Sequence, residues 1–163
     1  MNNARRLERL NKALEVMSLP PSELPMRFDQ DVWGTYVDVD LDNLDIVPEP
    51  RHCNTAGCFA GEISMHPWFR QRGLVGEWND EGTLSLVARV DRYNPGWTEA
   101  LQHFFGITWL EAGYLVDATA TVLDSAYLNR KFRQCYVAGE PYPPITQYNV
   151  RNRLKRLIAR YDG

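Results

Sequence analysis

His52-Cys53-Asn54-Thr55-Ala56-Gly57-Cys58-Phe59-Ala60-Gly61-Glu62-Ile63-Ser64-Met65-His66-Pro67 is the stretch whose reading decides the fold. From Thr55 to about Met65 it reads as a helix. Thr55 suits an N-cap, because its hydroxyl accepts a hydrogen bond from a first-turn N–H that has no helical partner. Pro67 disfavours helical geometry at His66 and ends the run. Apolar or small residues lie on every side, and Glu62 is the one formal charge. A helix that is apolar all round is normally buried. Ala56, Gly57, Ala60 and Gly61 form a small-residue strip, and each glycine costs a helix about 1 kcal/mol relative to alanine. Such a strip predicts another backbone packed close against this helix. The expectation is a mainly α protein (α+β with a minor two-stranded sheet), built as a single compact domain around a buried central helix.

The 163 residues are enough for one domain with a sizeable core. Hydrophobic residues make up 44% and aromatic residues 12%, which excludes global disorder. The formal net charge of −3 gives the whole chain no polyanion-binding character. No apolar run approaches the ~18 residues that a membrane-spanning helix needs. The start, Met1-Asn2-Asn3-Ala4-Arg5-Arg6, lacks the apolar segment of a secretory signal. Three cysteines, an odd number, fit reduced thiols and a cytoplasmic setting better than a disulfide framework.

Outward from the centre, residues 3–17 read as an amphipathic helix with Leu7, Leu10, Leu14 and Met17 on its inner face and Asn3 as cap. Pro20-Pro21 stops it. Phe28 and Trp33 are expected on the core. Residues 35–41 alternate as a half-buried strand, in which Val37, Val39 and Leu41 interleave with aspartates. Asp38, Asp40, Asp42 and Glu49 also fit the ligand spacing of a calcium loop. Asn43 in the glycine position, Asp45 in an apolar one, and the helix-breaking Pro48 and Pro50 argue against that fit. Trp68 to Leu74 reads as a helical turn closed by Gly73, and Glu77 to Gly82 as a loop. Residues 84–90 are the second strand candidate, and pairing with 35–41 would give a small sheet. Helices are expected over 97–105 and 108–116, the latter with a capping box from Thr108 to Glu111. Residues 118–136 read as one helix or two, with Val122, Tyr127, Leu128, Phe132 and Tyr136 turned inward. A proline-rich linker at 139–145 leads to a last helix, 146–161, with Val150, Leu154, Leu157, Ile158 and Tyr161 as its apolar stripe.

Three segments carry a resemblance. Phe28 and Trp33, the run Cys53-Asn54-Thr55-Ala56-Gly57-Cys58-Phe59-Ala60-Gly61, and Phe104-Phe105-Gly106-Ile107-Thr108 with Glu111-Ala112 resemble a loose family of small uncharacterised phage and bacterial proteins. That family has a Cys-Gly-Thr-x-x-Cys-x-x-Gly run and a later Phe-Gly-Leu-Thr segment. Asn54 stands where the family pattern has glycine. The resemblance covers roughly residues 5 to 116. It implies a phage or prophage origin and a host cytoplasm, and it implies no chemistry.

Two constellations could carry function. In the first, Cys58 sits in the first turn of the central helix, where unpaired N–H groups favour a thiolate. Glu62 is one turn on, His66 closes the helix, and Cys53 and His52 precede it. A catalytic set would be Cys58, Glu62 and His66, and a metal set would be Cys53, Cys58 and His66, with His52. The Cys-x4-Cys spacing is not that of common zinc ribbons, and free cysteine is among the most buried residue types. The reading favoured here is structural, with no cofactor. In the second constellation, residues from Arg130 to Gly163 carry eight Lys or Arg against two acids, whereas residues 29–49 carry seven acids and no base. Arg151, Arg153, Lys155, Arg156 and Arg160 could contact nucleic acid weakly, although an amphipathic helix must turn something polar outward in any case. A nucleic-acid face should also expose aromatic rings among its cations, and Tyr148 and Tyr161 look half-buried. The sequence lacks a Gly-rich phosphate loop and a Ser-His-Asp spacing. The function expected first is therefore a phage-type accessory protein that binds a host or viral macromolecule, in first place a protein. A thiol- or metal-dependent enzyme comes second and a nucleic-acid binder third.

Overall fold

The computed structural model describes residues 1–25, 27–28, 35–36, 55–78, 84–88, 97–117 and 124–163. Within them seven α-helices dominate. They are α1 (Asn3–Val16), α2 (Phe59–Met65), α3 (Pro67–Arg70), α4 (Trp97–Phe105), α5 (Trp109–Val116), α6 (Ala126–Ala138) and α7 (Gln147–Asp162), with a 3-10 turn at Pro21–Glu23. Five short strands complete the order: β1 (Arg27–Phe28), β2 (Thr35–Tyr36), β3 (Thr55–Gly57), β4 (Leu74–Trp78) and β5 (Leu84–Ala88). The protein is mainly helical, and none of its described helices is long and apolar enough to cross a membrane.

The central helix is buried as expected, but it starts later. Thr55–Gly57 is a strand, parallel to β1 and antiparallel to β2, and helix begins only at Phe59. Thr55 is therefore not the N-cap. Cys58 holds that position, with φ −74° and ψ −178° and no side-chain capping bond. β1 pairs with Ala56 and Gly57 and β2 with Thr55 and Ala56, and this pairing outweighs their place in a helical pattern. Every residue of α2 except Met65 is buried. Phe59, Phe69, Phe104 and Phe105 interlock around it: Phe59 stacks on Phe105 at 6.4 Å, and Phe104 meets Phe105 edge-on at 5.2 Å. Each such ring contributes about 1.5–3 kcal/mol by leaving water.

The two-stranded sheet has a different partner from the one expected. β5 pairs antiparallel with β4, Leu74 opposite Ala88 and Trp78 opposite Leu84, so Glu77 and Trp78 belong to a strand and not to a loop. Gly73, at φ 92°, ends the turn after α3 and releases the chain into β4. Of the 35–41 segment, Thr35–Tyr36 is strand and pairs with β3. Residues 37–41 lie outside the described residues, as do Trp33 and the acids of the calcium-loop pattern, Asp38, Asp40, Asp42 and Glu49.

α1 is capped by Asn2, not Asn3: the Asn2 side chain accepts from the Arg5 N–H at 2.9 Å. The inner face of α1 packs chiefly on α7 and also touches α4. There Arg6 donates to the Gly106 carbonyl at 2.8 Å, and Arg9 donates to the Phe104 carbonyl while lying over the Phe104 ring. These cations satisfy carbonyls that the end of α4 leaves without helical partners. α5 has the full Thr108–Glu111 capping box, and α7 has one built from Thr146 and Asn149. The linker packs onto the fold as well as spanning it: Ile145 is buried, and Tyr142 stacks on Phe132 at 5.1 Å with the rings 13° from parallel.

Candidate functional site

The thiol constellation does not converge. Cys58 and His66 flank α2 at opposite ends. At about 1.5 Å rise per residue their backbones stand about 12 Å apart along the axis, too far for both to reach one ion at zinc distances of about 2.0–2.3 Å. His66 Nδ1 instead caps α3, accepting from the Trp68 N–H at 3.2 Å, and its ring meets Phe69 edge-on. Burial and the nearby Lys12 hold His66 below its ordinary pKa. Cys58 is 2% exposed. Burial pushes its thiol up to about 11, against the backbone N–H groups of Gly61 and Ala60, and the Glu62 charge adds to the rise. Desolvation thus outweighs the helix terminus. Glu62 is fully buried in the first turn. Among the described residues no three His, Cys, Asp or Glu side chains are placed to hold a metal ion. His52 and Cys53 lie outside the described residues.

The five cations assigned to α7 do not form one face. Arg153 is 0% exposed. Its Nε and Nη2 donate to the two oxygens of Asp124 at 3.2 and 2.9 Å, and its Nη1 donates to the Tyr114 and Asp117 carbonyls at 2.9 and 2.6 Å. It is a buried brace between α5, the start of α6 and α7, so its assignment to nucleic acid is corrected. Arg160 pairs with Glu111 at 3.1 Å, and Arg156 donates to the Tyr114 hydroxyl at 3.5 Å. Arg151 is half-buried, which leaves Lys155 the least engaged. Glu111 is the anchor for the end of α7. It accepts from Tyr161 Oη at 2.6 Å and from the N–H and hydroxyl of Thr108 at 2.8 and 2.9 Å. Burial opposes its charge, but these hydrogen bonds and Arg160 prevail and hold the carboxyl below its usual range.

The surface that sequence reasoning missed is α6. Expected over 118–136, it runs from Ala126 to Ala138, with Ser125 accepting from the Leu128 N–H and Gly139 closing it at φ 66°. Residues 118–123, Val122 among them, lie outside the described residues. Tyr127 and Tyr136, expected inside, are 64% and 74% exposed. Phe132 is its one buried side chain, with Leu128 and Cys135 half-buried. At roughly 100° per residue the solvent arc reads Arg133, Val137, Arg130, Tyr127, Lys131. No acid interrupts Ala126–Ala138, and among the described residues no carboxylate pairs with Arg130, Lys131 or Arg133. An open groove of about 500 Å³ runs along it, lined among the described residues by Ala126, Asn129, Arg130 and Arg133. Tyr148, expected half-buried, is 64% exposed on α7. The available signal was the density of cations around Tyr127 and Tyr136, which an interior face would not tolerate.

Comparison with protein-family models, with curated proteins and with solved structures found no match to this chain.

Proposed function

We propose that this chain is a binding protein whose recognition surface is α6, and that it engages an anionic macromolecule. The observation that carries the reading is the helix itself. Thirteen residues bury one side chain and present three cations with no acid between them. Arginine and tyrosine are the residue types that dominate the energetics of recognition. The thiol route has less support, because Cys58 and His66 stand at opposite ends of α2 and the thiol is held neutral. If the double-cysteine run marks a phage or prophage origin, the partner is a host or viral macromolecule of the cytoplasm, and the role is that of an accessory protein.

The test is retention. Immobilised protein is challenged with cell lysate beside an Arg130→Ser/Arg133→Ser/Tyr136→Ser variant of equal thermal stability. Partners held by the native protein should elute with moderate salt and be missing from the variant. Identical retention by the two would overturn the reading.

A further inference from the structure

We propose that α6 and Tyr142 form a binding face for single-stranded nucleic acid, phosphates on Arg130 and Arg133 and bases on Tyr136 and Tyr142. The inference rests on α6 being the recognition surface and names its partner. The charge argument comes first. Arg130 and Arg133 line one groove, and a planar guanidinium matches phosphate oxygens with two parallel N–H donors. Lys131 and Tyr127, Nζ 5.9 Å from the ring centroid, sit on the far side of the helix and take no part in this face.

The rings decide between single strand and duplex. A polyanion held by charge alone needs no aromatic surface, and paired bases inside a duplex offer their faces only to each other. Unpaired bases stack on aromatic side chains, and any base will do, because each has a π-face. Tyr142 is already built as such a platform. Phe132 covers one face of its ring in a near-parallel stack and fixes its plane, yet the residue is 46% exposed. Tyr136 lies one turn beyond Phe132, about 6 Å along the axis at 1.5 Å per residue, so Tyr136 and Tyr142 fall on one side of α6, with Arg133 and then Arg130 on the flank next to them.

The experiment is fluorescence anisotropy of the full chain with end-labelled oligonucleotides: oligo-dT, oligo-dA, oligo-rU, and a duplex of the same length. Unlabelled polyglutamate is the competitor. Single strands should bind, and two phosphate contacts predict that affinity falls about sevenfold between ~50 and ~200 mM salt. Tyr136→Ala and Tyr142→Ala should each weaken binding about tenfold, and the matching Phe variants should retain it. Because Tyr142 packs on Phe132, its variants are compared only after thermal melts show the fold intact, and Tyr136, which is exposed, gives the same readout without that dependence. The ribose and deoxyribose arms tell RNA from DNA as the source of the strand. Preference for the duplex, or Ala variants that bind like the native chain, overturns the inference. Polyglutamate binding that depends on Arg130 and Arg133, with no oligonucleotide binding, overturns it too and keeps the wider reading of α6. If neither polymer binds, both fall.

Discussion

α6 and α7 follow one another in the chain and carry similar cations, yet the two helices use them in opposite ways. α7 buries Val150, Leu154 and Leu157 and draws Arg153 inside with them. Its last turn is tied down by Arg160 and Tyr161 on Glu111. α6 buries Phe132 and leaves its cations to water. Arginine count therefore says little about an arginine's task. What separates the two helices is the supply of acceptors. Asp124, Glu111 and the carbonyls of Tyr114 and Asp117 face α7, whereas among the described residues none of these acceptors faces the cations of α6. A buried charge persists only when every donor is met.

The comparison breaks most sharply at Arg153. Arg153→Met leaves the Asp124 carboxylate, 5% exposed, with its main counter-charge removed. Denaturant melts should show a loss of about 3–5 kcal/mol. Adding Asp124→Leu should restore much of it, because an apolar pair of similar volume can replace a buried ion pair. Full stability of the single variant would mean that α7 is no more committed to its charges than α6.

Thiol labelling sharpens the contrast between the core and α6. At pH 8 the Cys58 thiol, pushed up to about 11, holds roughly a hundredfold less thiolate than an ordinary cysteine, and it is buried as well. Cys135, half-buried on α6, should label before Cys58 when modified peptides are mapped against time. Labelling of Cys58 ahead of Cys135 in the native state would place an opening motion at α2.

Next in size is the Glu111 anchor. Its carboxyl is held below the value it has in the unfolded chain, about 4.3. Its contribution is complete above that value and disappears as pH falls through the lower, folded-state value. Glu111→Gln should cost about 1–2 kcal/mol at neutral pH. It should also flatten the acid limb of stability against pH, which equilibrium unfolding at pH 3 to 7 would record. Smallest of all, Arg130→Ala, Lys131→Ala and Arg133→Ala should each move stability by no more than about 0.5 kcal/mol. A larger loss would show these side chains bracing the fold as Arg153 does.

Local signals were legible and distant ones were not. The Thr108–Glu111 box, the start of the last helix at Thr146, Gly73 and the burial of Phe59 and Ile63 follow from spacing along the chain. Thr55–Gly57 was misread because its strand partners lie nearly 20 and 30 residues back, where no helical period can register them. β4 was missed for the same kind of reason: its evidence is the register with β5. Arg153 did leave a trace, since 150, 153, 154 and 157 are one helical stripe and arginine fills one of its places. Its partner Asp124 leaves none, being 29 residues away. The exposed face of α6 was misjudged because tyrosine counts as apolar in a periodicity and as amphipathic in a structure.

The packing of α1 on α7 sets a timetable for synthesis. Leu10, Ala13, Val16 and Met17 are fully covered in the finished fold, and α7 is the principal helix against α1. That cover is translated about 130 to 145 residues later. At translation rates of about 5–20 residues per second, α1 waits on the order of ten seconds with an apolar stripe in water. Nascent α1 is therefore the segment of this chain on which a holding chaperone would act first, and the emergence of α7 from the ribosome is the event that would release it.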